Sequence, residues 1–186
     1  HRNVSDLSRQ AYRSTFGGDE FFLADHCVAG RRVLPAVAYF EIARAALRDA
    51  SPEAVTNGQA IELRHVAFAQ PLFADDEAGL AVEVFEGDDS KFGFEVFGVD
   101  DAGGNAPLHC AGSMVLVPMP APERLSLEAL RARMPQRHEP ATLYARFAAQ
   151  GLQYGPAFQG IVAAVQGEGE CLVELRLPAS AQVGGV

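Results

Sequence analysis

Residues 36–47, AVAYFEIARAAL, constrain the fold more than any other part of this chain. Val37, Phe40, Ala43, Ala46 and Leu47 recur at helical spacing, Tyr39 and Ile42 widen the stripe, and charge is confined to Glu41, Arg44 and, just beyond, Arg48. A helix this apolar must be covered on most of its sides. Four strand-like segments follow to cover it: IELRHVAFAQPL (61–72), GLAVEVFEG (79–87), KFGFEVFGVD (91–100) and LHCAGSMVLV (108–117). In the second of these Leu80, Val82 and Val84 share one face, and in the third Phe92, Phe94 and Val96 do. EGDDSK and DDAGGNAP read as the turns between neighbours. One apolar helix followed by an antiparallel meander of four strands predicts an α+β domain in which a sheet wraps a central helix.

Upstream, QAYRSTFGGDEFFLADHCV predicts two short strands joined at Gly17–Gly18, the second over about 20–24 and leading to His26. Downstream, PMPAPERL carries three prolines and reads as a linker. A short helix over 125–134, with Ser126 as its N-cap, and a second helix, ATLYARFAAQ, begun after Pro140 and ended by Gly151, come next. Strands at about 158–166 and 170–177 then begin a second β unit. The implied division is a first domain over 1–117, a linker with a short helix over 118–140, and the beginning of a second domain over 141–186. HRNVSDLSRQ has no initiator methionine and SAQVGGV ends without a structural stop, so the chain reads as a piece of a longer polypeptide.

Net charge −9 excludes a nucleic-acid surface, which needs clustered Lys and Arg. No apolar run reaches the roughly 20 residues that span a bilayer, and the acidic balance is ordinary for a cytoplasmic enzyme. Cys27, Cys110 and Cys171 form neither a disulfide framework nor a metal pair, and read as reduced thiols in or near the core. The acids at 75–77 and 88–89 lack ordered ligand spacing and read as solvated turns rather than a metal site. His65 and His109 fall in strand patterns, at the core edge or surface, and His138 reads as exposed loop.

Two segments carry chemistry. ADHCVAGRRVLP sets His26, Gly30 and Pro35 in the order HxxxGxxxxP directly before the apolar helix. A lone histidine is more often structural than catalytic. Here, however, Gly30 removes a side chain near the imidazole and can offer its backbone N–H to a ligand carbonyl, while Pro35 starts the helix. Imidazole titrates near neutrality, which suits work as a general base. Cys27 and His26 point to opposite faces of a strand, so they do not form a nucleophilic pair, and Asp25 is directed away from His26. The second segment is YGPAFQG, Tyr154 to Gly160. Structurally it is a bend at Gly155–Pro156 with Phe158 plugging the core. Functionally, Tyr154 offers a hydroxyl to a cleft walled by Phe158 and Gln159.

With these two motifs in this order, and with EFFLADH and VLPxVAYxExARAA around the first, the whole chain resembles the dehydratase domains of modular polyketide synthases, the trans-acyltransferase type in particular, and of related fatty acid synthases. The resemblance implies a hotdog fold, duplicated into a double hotdog with one active site. It implies His26 as the base that removes the α-proton of a 3-hydroxyacyl thioester, and an aspartate of an HPxxxD segment as the acid that protonates the leaving hydroxyl. Gly30, Leu34, Pro35, Tyr154, Gly155, Pro156, Phe158 and Gln159 become the substrate-binding positions. The substrate arrives on the phosphopantetheine of an acyl carrier protein, with no metal or redox cofactor. Neighbouring synthase domains are the other partners, and the first hotdog forms a homodimer. The chain departs from the pattern in carrying no HPxxxD segment after YGPAFQG and in having Ala36 where the family often has glycine. Relatives without the aspartate are double-bond isomerases, others form pyran rings, and a domain that only binds carrier protein is the non-catalytic alternative.

Overall fold

A computed structural model describes residues 2–6, 9–52, 59–75, 77–87, 91–99 and 107–181. In chain order its elements are strands β1 (Arg2–Asn3) and β2 (Gln10–Phe16), helix α1 (Phe21–Ala24), strands β3 (His26–Val28) and β4 (Arg31–Arg32), and helix α2 (Ala36–Ala50). Strands β5 (Gln59–Phe68), β6 (Ala78–Glu86), β7 (Lys91–Val99) and β8 (Leu108–Pro118) follow. Helix α3 (Leu127–Ala132), strand β9 (Gln136–His138), helix α4 (Pro140–Ala149) and strands β10 (Leu152–Tyr154), β11 (Ile161–Gln166) and β12 (Cys171–Leu175) complete the set. They divide into two compact units: residues 1–18 with 33–121, and residues 19–32 with 122–186.

In the first unit, a six-stranded antiparallel sheet in the order β1-β2-β6-β7-β8-β5 carries α2, which packs on β2, β5, β6 and β7. The alternation expected from the sequence holds: Leu80, Val82 and Val84 are buried from β6, and Phe94 and Val96 from β7. Two expectations change. β5 lies beside β8 rather than β6, so only β6-β7-β8 is a meander. The N-terminal strand β2 takes the place against β6, in register Tyr12↔Val82, because Ala11 and Tyr12 supply apolar surface for the core. Of the proposed turns, 88–90 and 100–106 lie outside the described residues.

Helix α2 buries Tyr39, Ala43, Ala46 and Leu47. These fall at i, i+4, i+7 and i+8, the stripe of a helix laid on a sheet. Val37 was expected in that stripe, but it is 65% exposed. It stands in the first turn, outside the direction that the four buried residues share. Pro35 occupies the N-cap position in extended conformation (φ −57, ψ 137), one residue before the first helical one. Leu34 is buried and donates its N–H to the Leu72 carbonyl at 3.0 Å. His109, expected at an edge, is only 5% exposed, with Nδ1 3.1 Å from the Gln70 carbonyl oxygen. Of the three thiols, Cys110 is buried and pushed up to about 11 by that burial, Cys27 is half-buried, and Cys171 is exposed rather than near a core.

The second unit holds two three-stranded sheets, β10-β3-β4 and β12-β11-β9. The strand predicted over 20–24 is instead α1, because Leu23 alone of FFLA is buried and the Glu20 carbonyl accepts the N–H groups of both Leu23 and Ala24. Ser126 caps α3 as predicted, its hydroxyl accepting the Ala129 N–H at 3.2 Å. His138 belongs to β9 rather than a loop, paired with Ala164. Three polar residues, QRH, carry no strand periodicity, so this pairing leaves no mark in the sequence.

Leu47→Ala, at a site with 0% exposure, is expected to lower unfolding free energy by about 2–5 kcal/mol. Val37→Ala on the same helix is expected to stay within about 0.5 kcal/mol. Urea denaturation of the two variants checks the direction in which α2 faces.

Candidate functional site

The site is assembled within the second unit. β3 and β4 make a two-residue hairpin, with Val28 opposite Arg31, and its central residues Ala29 and Gly30 both have positive φ (50 and 79). That backbone is the primed turn whose twist suits a tight hairpin, and glycine adopts it without the steric cost other residues meet. Gly30 therefore owes its place to the turn. Its N–H is donated to Gln153 Oε1 at 3.0 Å. Gln153 itself was not anticipated, since an exposed polar residue on a short strand gives no signal.

β10 pairs antiparallel with β3 and sets Tyr154 opposite His26, Gln153 opposite Cys27 and Leu152 opposite Val28. The two chemistry-bearing motifs thus meet residue against residue. The His26 ring lies 5.6 Å from the Tyr154 ring and 5.3 Å from the Phe158 ring, centroid to centroid. Tyr154 and Phe158 stack on each other at 5.8 Å with planes 16° apart. Such offset aromatic arrangements are favourable beyond the area they bury. The three centroids form a near-equilateral triangle, so the imidazole packs beside the stacked pair in a partly apolar setting.

The YGPAFQG loop is tied down by several bonds. Pro156–Phe158 form one turn of 3-10 helix with Ala157 buried. Asp25 accepts from this loop twice: its backbone carbonyl takes the Gly155 N–H at 2.8 Å, and its carboxylate Oδ2 takes the Ala157 N–H at 2.7 Å. A Cβ at Gly155 would stand 2.3 Å from Asp25 Oδ1, so only glycine permits this approach. Gln159 donates its amide to the Tyr154 carbonyl at 2.8 Å and braces the loop internally. Tyr144 of α4 adds a further brace, its hydroxyl accepting the Ile161 N–H at 2.8 Å and donating to the Phe158 carbonyl at 3.4 Å.

Tyr154 and Phe158 also line an apolar cavity of about 350 Å³, whose other walls include Tyr144, Phe147, Ile161 and Leu175. That volume falls in the range of small-ligand clefts. Cys27 directs its thiol to the Ala24 carbonyl, 3.8 Å away, and takes no part with His26. Leu34 and Pro35, the remaining motif positions, belong to the first unit, where both are buried. Among the described residues no cluster of His, Cys, Asp and Glu could hold a metal ion, and no helix is long and apolar enough to cross a membrane.

Comparison with known proteins gives this arrangement its class. Residues 1–98 match the family described as polyketide synthase dehydratase domain, and residues 122–185 match a polyketide synthase dehydratase N-terminal domain family. A trans-AT polyketide synthase dehydratase domain from Brevibacillus brevis superposes with a TM-score of 0.91 at 34% identity, over 97% of this chain and 64% of that one. The dehydratase domain of RzxB from Pseudomonas fluorescens gives 0.83 at 30% identity, over 95% of this chain and 63% of that one. Polyketide synthase PksN of Bacillus subtilis is 32% identical over 184 residues, 97% of this chain and 3% of the synthase. The chain belongs to the polyketide synthase dehydratase domain family, with an α+β hotdog fold. It spans about two thirds of the related dehydratase structures and a few per cent of the synthases.

Two substitutions test how the site is held. Gly30→Ala meets nothing within 4 Å, so its expected cost, about 1–2 kcal/mol, comes from the left-handed backbone alone. Tyr144→Phe strips the Ile161 N–H of its acceptor and is expected to cost about 1–3 kcal/mol. Chemical denaturation measures the first, and amide hydrogen exchange at Ile161 reads the second directly.

Proposed function

We propose that this domain dehydrates 3-hydroxyacyl thioesters carried on the phosphopantetheine of an acyl carrier protein, giving α,β-enoyl thioesters in polyketide biosynthesis, with His26 as the base. The single observation that carries the reading is the register His26↔Tyr154, which brings the HxxxGxxxxP histidine and the YGPAFQG aromatics together in one dehydratase-family domain. The imidazole withdraws the proton α to the thioester carbonyl. The electron pair then forms the α,β double bond as the β-hydroxyl leaves, taking a proton from a general acid. The resemblance assigns that acid to an aspartate of an HPxxxD segment, and residues 161–186 contain no such segment.

Tyr154 and Phe158 are the apolar surface against which the acyl chain lies. Gly30, Gly155, Pro156 and Gln159 shape the backbone that presents them, and Leu34 and Pro35 hold the start of α2. No metal or redox cofactor enters this chemistry. The 34% identical trans-AT dehydratase structure supports assignment to that type of synthase. The synthases among the relatives support acyl carrier protein and neighbouring synthase domains as partners. A homodimer through the first domain, a cytoplasmic location, and a domain division at 117 and 140 complete the proposal. Neither the relatives nor the site favours the isomerase, cyclase or carrier-binding readings.

His26→Ala, made in the synthase polypeptide that carries this domain, is expected to reduce dehydration of a 3-hydroxyacyl carrier protein by roughly 10²–10⁴-fold, the usual contribution of a positioned acid or base. Mass spectrometry of the acyl carrier follows the loss of water. Turnover equal to the parent would refute the role given to His26.

A further inference from the structure

Asp25 stands immediately before His26, and its N–H, carbonyl and carboxylate are all engaged. Its N–H closes α1 on the Phe21 carbonyl at 3.1 Å. Its carbonyl accepts from Gly155 at 2.8 Å, and its carboxylate from Ala157 at 2.7 Å. The loop that it grips is the one whose two ends carry Tyr154 and Phe158, the stacked rings that lie 5.6 and 5.3 Å from the His26 ring. A charge-assisted bond to a backbone N–H is roughly twice as strong as a neutral one. This one spans 132 positions of sequence, so it ties together segments that local structure alone would not hold in place.

We propose that Asp25 is a positioning residue for His26: through the Ala157 and Gly155 N–H groups it holds the Tyr154–Phe158 loop against β3 and thereby fixes the stacked pair of rings against which the imidazole packs. The backbone makes this geometry specific. Gly155 lets the carboxylate approach to a distance at which any Cβ would overlap it. Ala157 is buried, so its N–H has little access to water if the carboxylate is withdrawn. The catalytic consequence rests on the role proposed above for His26; the positional claim does not.

The test follows the His26 ring C–H signals by NMR in the full chain, identified by their disappearance in His26→Ala. In Asp25→Ala these signals are expected to move toward their unperturbed positions as ring-current shifts from Tyr154 and Phe158 are lost, while methyl signals of the first unit stay in place. Asp25→Asn keeps an oxygen able to accept the Ala157 N–H and is expected to restore most of the shift. In the synthase, kcat for dehydration is expected to fall at least tenfold in Asp25→Ala with a smaller change in KM, and to stay within about threefold in Asp25→Asn, since small displacements of a catalytic group are costly. Should Asp25→Ala not fold, Gly155→Ala, which leaves the carboxylate in place but crowds it, is expected to displace the same His26 signals. Unmoved His26 signals in the folded variants, or an Asp25→Asn as perturbed as Asp25→Ala, would overturn the positioning role. If His26→Ala keeps full turnover, the reading of His26 as base falls while the NMR arm still decides the place of Asp25.

Discussion

Everything at the site depends on the antiparallel pairing of β3 with β10. The two strands are three residues each, and they bring His26 beside Tyr154 from distant parts of the chain. Side chains alternate across a strand, so a slip of one residue would turn His26 away from the aromatic face entirely. Two three-residue strands make too few ladder bonds to define register by themselves. The bonds from Gly30 to Gln153, from Ala29 to the Gly151 carbonyl, and from Gly155 and Ala157 to Asp25 supply the rest. The register is therefore held from both ends of the short ladder.

Around this pairing the chain uses two kinds of stability. In the first unit it is burial: α2 sets Ala43 and Leu47, each with 0% exposure, against a sheet whose inner face is Leu80, Val82, Val84, Phe94 and Val96. The small alanines bring the helix backbone close to the sheet, and the larger residues fill what remains. In the second unit fewer residues are buried, and hydrogen bonds to specific backbone groups take a larger share. Tyr144, Gln153 and Asp25 each fasten one element to another, and Gln159 braces its own loop. Directional bonds suit a site where the angle of an imidazole matters more than the volume it fills.

Legibility in the sequence follows the same division. The strands of the first unit are legible because burial on one face imposes alternation, and α2 because an apolar stripe of period 3.6 over this length fits a helix and not a strand. The place of β5 is not legible, since alternation says which face is buried but not which neighbour a strand joins. FFLA, expected as strand, is a helical turn, and four apolar residues are compatible with either. The backbone of Gly30 stands out in the sequence, but the acceptor of its N–H does not, because Gln153 lies 123 positions away. Alternation turns Asp25 away from His26, yet leaves its partner Ala157, 132 positions on, unnamed.

By itself the sequence determined the family, the class of fold, the buried faces of β6 and β7, and the two motifs that carry the chemistry. These are properties of short segments, expressed in periodicity, turn residues and motif spacing. Only the tertiary structure decided which strand lies beside which, that His26 packs against the stacked Tyr154 and Phe158 rings, and that Asp25 is bonded to the loop carrying those rings. Those are contacts between distant segments. Their cost is the entropy of closing long stretches of chain, and what offsets it is packing and hydrogen bonding that exist only after the segments have met.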